Sequence, residues 1–358
     1  MRASAGAAAL VAGSRPAAAH VDYVTDSNQV VEALGFLLEV LSDPFNAALL
    51  GGGALTAVVL AATYLRYRPA RRDVAVFRAA MDDYRDLLPW LLRLSFGLPL
   101  VGAGFGGYFF SPAVEPLVGG LVTRLFTIGM GFCLLFGLAT RVVAFVTLVV
   151  YLVSVPFAPQ LLLANEYVPG MAALVLVGSG RPSADQVLNR VASAEGTIYG
   201  QLDPVHRAAD AVERAVTPYR PYVPTVVRVG LGVDFVFLGL YEKLLQPGAA
   251  LAVVEKYDLT AVVPVDPGLW VVGAGLTEIS LGLMLTAGLF VRADATVALA
   301  MFTLTLFGLP DDPVLAHVSL FGLASALLIT GAGPLSLDRR LAATTDDRAA
   351  EAPGAPGD

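Results

Sequence analysis

The chain of 358 residues is 56% hydrophobic and only 15% charged, with a mean hydropathy of +0.70 and a net charge of −7. Soluble domains carry about 25% charged residues. The deficit here is regional: long apolar windows alternate with short charged connectors, the pattern of a polytopic helical membrane protein embedded in the lipid bilayer. The acidic balance speaks against nucleic acid as a partner, and the lone Cys133 excludes an internal disulfide, a Cys-rich zinc site or a thiolate-held cluster.

Residues 1–19 read as a secretory leader, with Arg2, the apolar run Ala5 to Val11, and Ala17-Ala18-Ala19 as a small-residue cleavage site before His20. Residues 20–86 are expected to hold an extracytoplasmic amino terminus, a first span near 45–65 and a basic inner connector. In the span, Gly51-Gly52-Gly53 offers a close-packing face. In the connector, Phe77, Met81, Tyr84 and Leu88 recur at helical spacing, which predicts an interfacial helix.

Four windows follow near 87–109, 119–140, 142–159 and 166–180, and four more near 224–244, 267–289, 293–309 and 314–332. Between them lies a polar connector, 191–223. There Asp203-Pro204 has the order of an N-cap and first-turn proline, and Val205, Ala208, Val212 and Val216 share one face of an expected surface helix. The tail 342–358, rich in Ala, Pro, Gly and acids, is expected to be disordered. The expected fold is all-α, a transmembrane bundle of about nine spans. With the mature amino terminus outside, Arg66–Arg85, Arg141, Arg181–Arg220, Arg292 and Arg339-Arg340 all fall inside, as the positive-inside rule requires, and the carboxy terminus is cytoplasmic in the cell membrane.

The two sets of four windows repeat each other. Arg93-Leu-Ser-Phe-Gly97 matches Arg228-Val-Gly-Leu-Gly232, Phe136-Gly-Leu-Ala-Thr-Arg141 matches Ala287-Gly-Leu-Phe-Val-Arg292, and Gly178-Ser-Gly-Arg-Pro-Ser-Ala-Asp185 matches Gly331-Ala-Gly-Pro-Leu-Ser-Leu-Asp338. A longer loop near Gln246–Pro267 accounts for most of the change in offset. Four spans per unit return each copy to the side it entered, so the repeats, 87–190 and 224–341, are parallel. A unit with Arg-x-x-x-Gly in its first helix, a Gly-Leu-x-x-Arg exit from its second and a Gly-x-Gly-x-x-Ser-x-Asp ending resembles the DoxX family. That resemblance implies a membrane subunit tied to quinone-linked redox work with a membrane or peripheral redox partner; it supplies no catalytic residues. The extra first span and long connector depart from the minimal family pattern.

Ionisable residues inside spans carry an energetic cost and need a reason. The second unit has Arg228, Asp234, Glu242, Lys243, Glu278 and His317, with Tyr241 seven residues from Asp234. The first keeps Arg93 opposite Arg228 but offers Pro99 for Asp234 and Thr127 for Glu278, with Glu166 near the place of His317. Two readings stay open. Either these groups form a polar pocket that hydrogen-bonds a quinone or relays protons, or Arg228 pairs with Asp234 or a loop acid, Glu242 and Lys243 face outer water, and the rest satisfies packing. A bis-histidine haem lacks a second suitable His, and there is no Walker loop, dinucleotide fingerprint or His-Glu-x-x-His helix. The expected function is a quinone-binding or redox-supporting membrane subunit, against a solute or ion transporter using the mid-membrane acids, or a scaffold.

Overall fold

The computed structural model describes residues 33–199 and 205–341; the leader, the Asp203-Pro204 cap and the tail after residue 341 lie outside the described residues. A short helix α1 (Ala33–Ser42) precedes α2 (Pro44–Tyr67), which starts at an Asp43 N-cap followed by proline and is the first span. The amphipathic α3 (Arg71–Asp82) lies where the helical spacing predicts an interfacial helix. The first four-helix unit comprises α4 (Leu88–Gly106), α5 (Gly120–Phe136), α6 (Thr140–Ser154) and α7 (Tyr167–Val177). After α8 (Ala184–Ala192) comes α9 (Val205–Val216), the expected surface helix of the connector. The second unit comprises α10 (Val223–Leu238), continued by a π-helical segment Gly239–Leu245, then α13 (Pro267–Ala287), α14 (Val291–Gly308) and α15 (Val314–Thr330). The insertion expected as a loop is itself helical, as α11 (Pro247–Lys256) and α12 (Leu259–Val262).

All nine predicted windows are apolar helices, and five stretches have the length and composition to cross a membrane. The span predicted at 166–180 differs most. Its α-helix has 11 residues, about 16 Å at 1.5 Å per residue, which covers half of a hydrocarbon core of about 30 Å. The 3₁₀ segment Pro159–Ala164 supplies the rest; its Leu161, Leu163 and Ala164 are buried, and Leu161 O accepts from the Tyr151 hydroxyl at 2.6 Å. Irregular backbone at that depth is tolerated because protein covers it.

One device recurs in both units. Arg93, 2% exposed, donates to Leu134 O, Leu135 O, Ser179 O and Pro182 O at 2.6–2.8 Å. Arg228, equally buried, donates to Leu285 O, Thr286 O, Ala332 O and Leu335 O. The last carbonyls of a helix have no partner within it, and a guanidinium fork reaches several at once. Gly137 and Gly288 cap these ends at φ +67° and +73°, where a Cβ would strike the arginine as well as strain the backbone. One turn on, Asp185 accepts from Ala139 N and Thr140 N, as Asp338 does from Phe290 N and Val291 N. The exit arginines complete the match: Arg141 holds Val175 O and Leu176 O, and Arg292 holds Leu328 O and Ile329 O.

The units meet through α4 against α15 and α7 against α10. Small residues bring the backbones together, Ser95 on Gly322 and Pro169 on Gly230. Gly51, Gly52 and Gly53, by contrast, have no neighbour where a Cβ would point, so among the described residues they form no packing face.

Arg228→Leu strips four buried carbonyls of their donor and is expected to destabilise the detergent-solubilised protein by about 3 kcal/mol or more. Arg228→Lys, a point donor without a fork, should recover only part of that loss. Thermal unfolding followed through Trp90 and Trp270 fluorescence checks both; an unchanged midpoint for Arg228→Leu contradicts this account of the carbonyl contacts.

Candidate functional site in the second unit

Asp234 lies 11 residues into α10 and Glu278 nine residues before the end of α13, about 16 and 14 Å from the arginine-bearing end of the bundle and so near mid-membrane. Asp234 is 1% exposed, and its Oδ1 has no hydrogen-bond partner. Glu166, Glu242 and Glu278 are the charged groups within electrostatic reach of it. The expected pairing of Arg228 with Asp234 is not met, because the guanidinium donates to four carbonyls at the arginine-bearing end. Arg228 therefore stands apart from the acidic cluster.

The π-helical segment explains how Glu242 and Lys243 join that cluster. One extra residue per turn shifts the register of α10 at Gly239, and Gly239 lets the helix close on Gly275 O and Glu278. Lys243 Nζ then sits 3.1 Å from Glu278 Oε1 and 3.4 Å from Glu242 Oε2. Glu242 is 2% exposed, and Glu278 keeps a buried Oε2 with no partner. A buried ion pair is favourable only when geometry and further hydrogen bonds offset desolvation; here one ammonium serves two carboxylates. Tyr241, expected on the face of Asp234, instead stacks on Phe237 with ring centroids 5.4 Å apart, beside Leu163 of the first unit.

His317 and Asp312 extend the cluster to the far end of the bundle. His317 Nε2 lies 3.4 Å from Asp312 Oδ2, and both residues are buried. In the loop before α15, burial pushes the Asp312 carboxyl up to about 7; Glu242 adds to the rise and Lys243 opposes it.

Two members were not legible as site residues in the sequence. Asp312 sits in a loop beside Asp311, which pairs at the surface with Lys256 at 2.9 Å and Tyr257 at 2.8 Å, and nothing in the sequence separates the two. The sequence alignment sets Glu166 near the place of His317, whereas counting from the matched carbonyls of Val175 and Leu328 sets it opposite Ser319. Those two counterparts touch: Ser319 Oγ donates to Glu166 Oε1 at 3.0 Å, so the first unit contributes a carboxylate to the second unit's cluster. The only sequence signal was the charge itself at the start of a predicted span. No group of His, Cys, Asp and Glu among the described residues is arranged to hold a metal ion.

Lys243→Met leaves Glu242 and Glu278 facing each other without a counter-charge and is expected to cost about 3 kcal/mol of stability. Lys243→Met with Glu278→Gln should recover part of that loss in a double-mutant thermal series; strict additivity contradicts the pairing. Asp312 gives a pH test. Its folded pKa, raised to about 7 from 3.8, makes its contribution greatest below the unfolded value, declining as pH rises through 7. The wild-type melting temperature should therefore fall between pH 5 and 8 by more than that of Asp312→Asn.

Residues 223–317 match the DoxX family model. No curated protein and no solved structure matches the chain. The match and the apolar spans together identify the chain as a multi-pass membrane protein whose second four-helix unit carries a DoxX domain.

Proposed function

We propose that this protein is a redox-supporting membrane subunit whose second unit moves protons between one bundle end and a quinone at mid-membrane. The observation that carries the reading is Asp234, buried to 1% exposure and unpartnered at Oδ1 among three further carboxylates. A carboxylate kept from water without a counter-charge is costly in a bilayer, and such groups mark proton or ion paths. The residues suit a quinone, since the Lys243 ammonium keeps a third N–H beyond its two carboxylate contacts for a carbonyl oxygen, beside acids able to exchange protons. A bound quinone supplies two-electron, two-proton redox chemistry. Asp312 lies buried in the loop at the bundle end, His317 sits beside it, and Glu242, Lys243 and Glu278 continue the set of titratable groups toward Asp234. With the arginine-bearing end in the cytoplasm, this entry faces outside. The paired arginine, glycine and aspartate contacts support an internal duplication into parallel units, 87–190 and 224–341, each able to diverge in its interior.

A second reading, transport of a small solute or ion, is favoured by one observation: the Glu166–Ser319 contact puts the cluster at the junction of the two units, where repeat-built transporters bind substrate. Solvent extraction of the purified protein followed by chromatography separates the readings. Quinone is expected in wild-type extracts and depleted about tenfold in Asp234→Asn and Glu278→Gln. Absence of quinone and of any co-purifying redox protein, together with solute flux in vesicles that Asp234→Asn abolishes, overturns the redox reading for the transport one.

A further inference from the structure

At the arginine-bearing end of the first unit lies a cavity of about 670 Å³ lined by Arg85, Arg141, Arg181 and Arg220, against only two carboxylates, Asp86 and Glu213. We infer that it binds a phosphate group, and specifically the headgroup of an anionic phospholipid. Three features of the cavity carry this. First, Glu213 already bridges two of its guanidiniums, Arg141 Nη1 through Oε2 and Arg220 Nη2 through Oε1. Two forks converging on neighbouring oxygens of one acid form the arrangement that recognises a phosphate. Second, the charge is unbalanced. Arg85 finds its carboxylate outside the cavity, at Asp82, and Arg181 has no carboxylate partner among the described residues.

Third, the cavity lies where span ends meet at one end of the bundle, and part of its wall is apolar. It is built where α4 begins, α6 begins and α7 ends, and Leu88, Pro89 and Val177 line it toward the spans. A free phosphate needs no such wall, whereas acyl chains do. The second unit supports the assignment by contrast. There the matching loop reads Gly331-Ala-Gly-Pro334, so proline stands where the first unit has Arg181. Its exit Arg292 is occupied by Asp82 at 3.0 Å. The phosphate site thus belongs to the first unit, at a distance from the acidic cluster. Glu213 competes with the ligand for Arg141 and Arg220, so occupancy by phosphate loosens the hold of α9 on the bundle.

The test uses the full-length protein in a neutral detergent, with phosphatidylglycerol, phosphatidylcholine or inorganic phosphate added, read by native mass spectrometry and by melting temperature. Phosphatidylglycerol is expected to be retained and to raise the melting temperature, while phosphatidylcholine does neither. Arg181→Gln with Arg220→Gln should weaken retention about tenfold, and Glu213→Gln should strengthen it. If the double variant melts early without lipid, Arg181→Gln alone, in an exposed loop, serves in its place. Equal retention of the two lipids, or retention indifferent to Arg181 and Arg220, overturns the site. Inorganic phosphate matching phosphatidylglycerol overturns the lipid as the source of the phosphate.

Discussion

Helix ends inside a bilayer present carbonyl groups that neither the helix nor lipid can satisfy, and everything else in this protein is arranged around how they are served. Arg93 and Arg228 each gather four such carbonyls from two separate stretches of chain, which pins the end of one span to the loop that follows the fourth. Asp185 and Asp338 then fix the backbone amides of the next helix start. Arginine is the only side chain that can do this, because it carries a fixed fork of donors and keeps its charge when buried. These residues lie in the stretches that repeat along the chain because geometry, not reactivity, requires them.

With the ends fixed in this way, the interiors of the two units are free to differ. In the first, Phe96, Phe110, Tyr151 and Tyr167 fill the middle, with ring centroids 5.0–5.5 Å apart across the Phe96–Tyr167, Phe110–Tyr151 and Phe110–Tyr167 pairs. In the second, Asp234, Glu242, Lys243 and Glu278 occupy the corresponding depth, and the π-helical segment brings the last three together. Aromatic packing needs no water and no partner; buried charge needs both a reason and a supporting shell. One scaffold therefore holds an aromatic interior in one half and a charged interior in the other.

Much of this was legible in the chain itself. Span positions follow from hydropathy because lipid leaves few alternatives, and the matched arginine, glycine and aspartate positions were visible because each makes a contact that tolerates no other residue. Asp234, Glu242, Lys243, Glu278 and His317 stood out as charges in apolar windows. What stayed hidden depends on register and on contacts between distant segments. The role of Arg228 required knowing where the α13 carbonyls end. The place of Tyr241 followed a regular helix in the sequence and a π segment in the fold, so it turned toward Phe237 and Leu163. Glu166 and Asp312 entered the cluster only through packing between units and through a buried loop, neither of which has a periodic signature.

The leader helices show how the halves depend on each other. Asp82, at the end of the helix that precedes the first unit, holds Arg292 of the second, while Glu213, from the helix that precedes the second, holds Arg141 of the first. A lone half would keep its local pair, Asp82–Arg85 or Glu213–Arg220, but lose the acid that holds its exit arginine, and two such halves side by side would restore it by trading arms. Carrying both in a single polypeptide makes that exchange permanent.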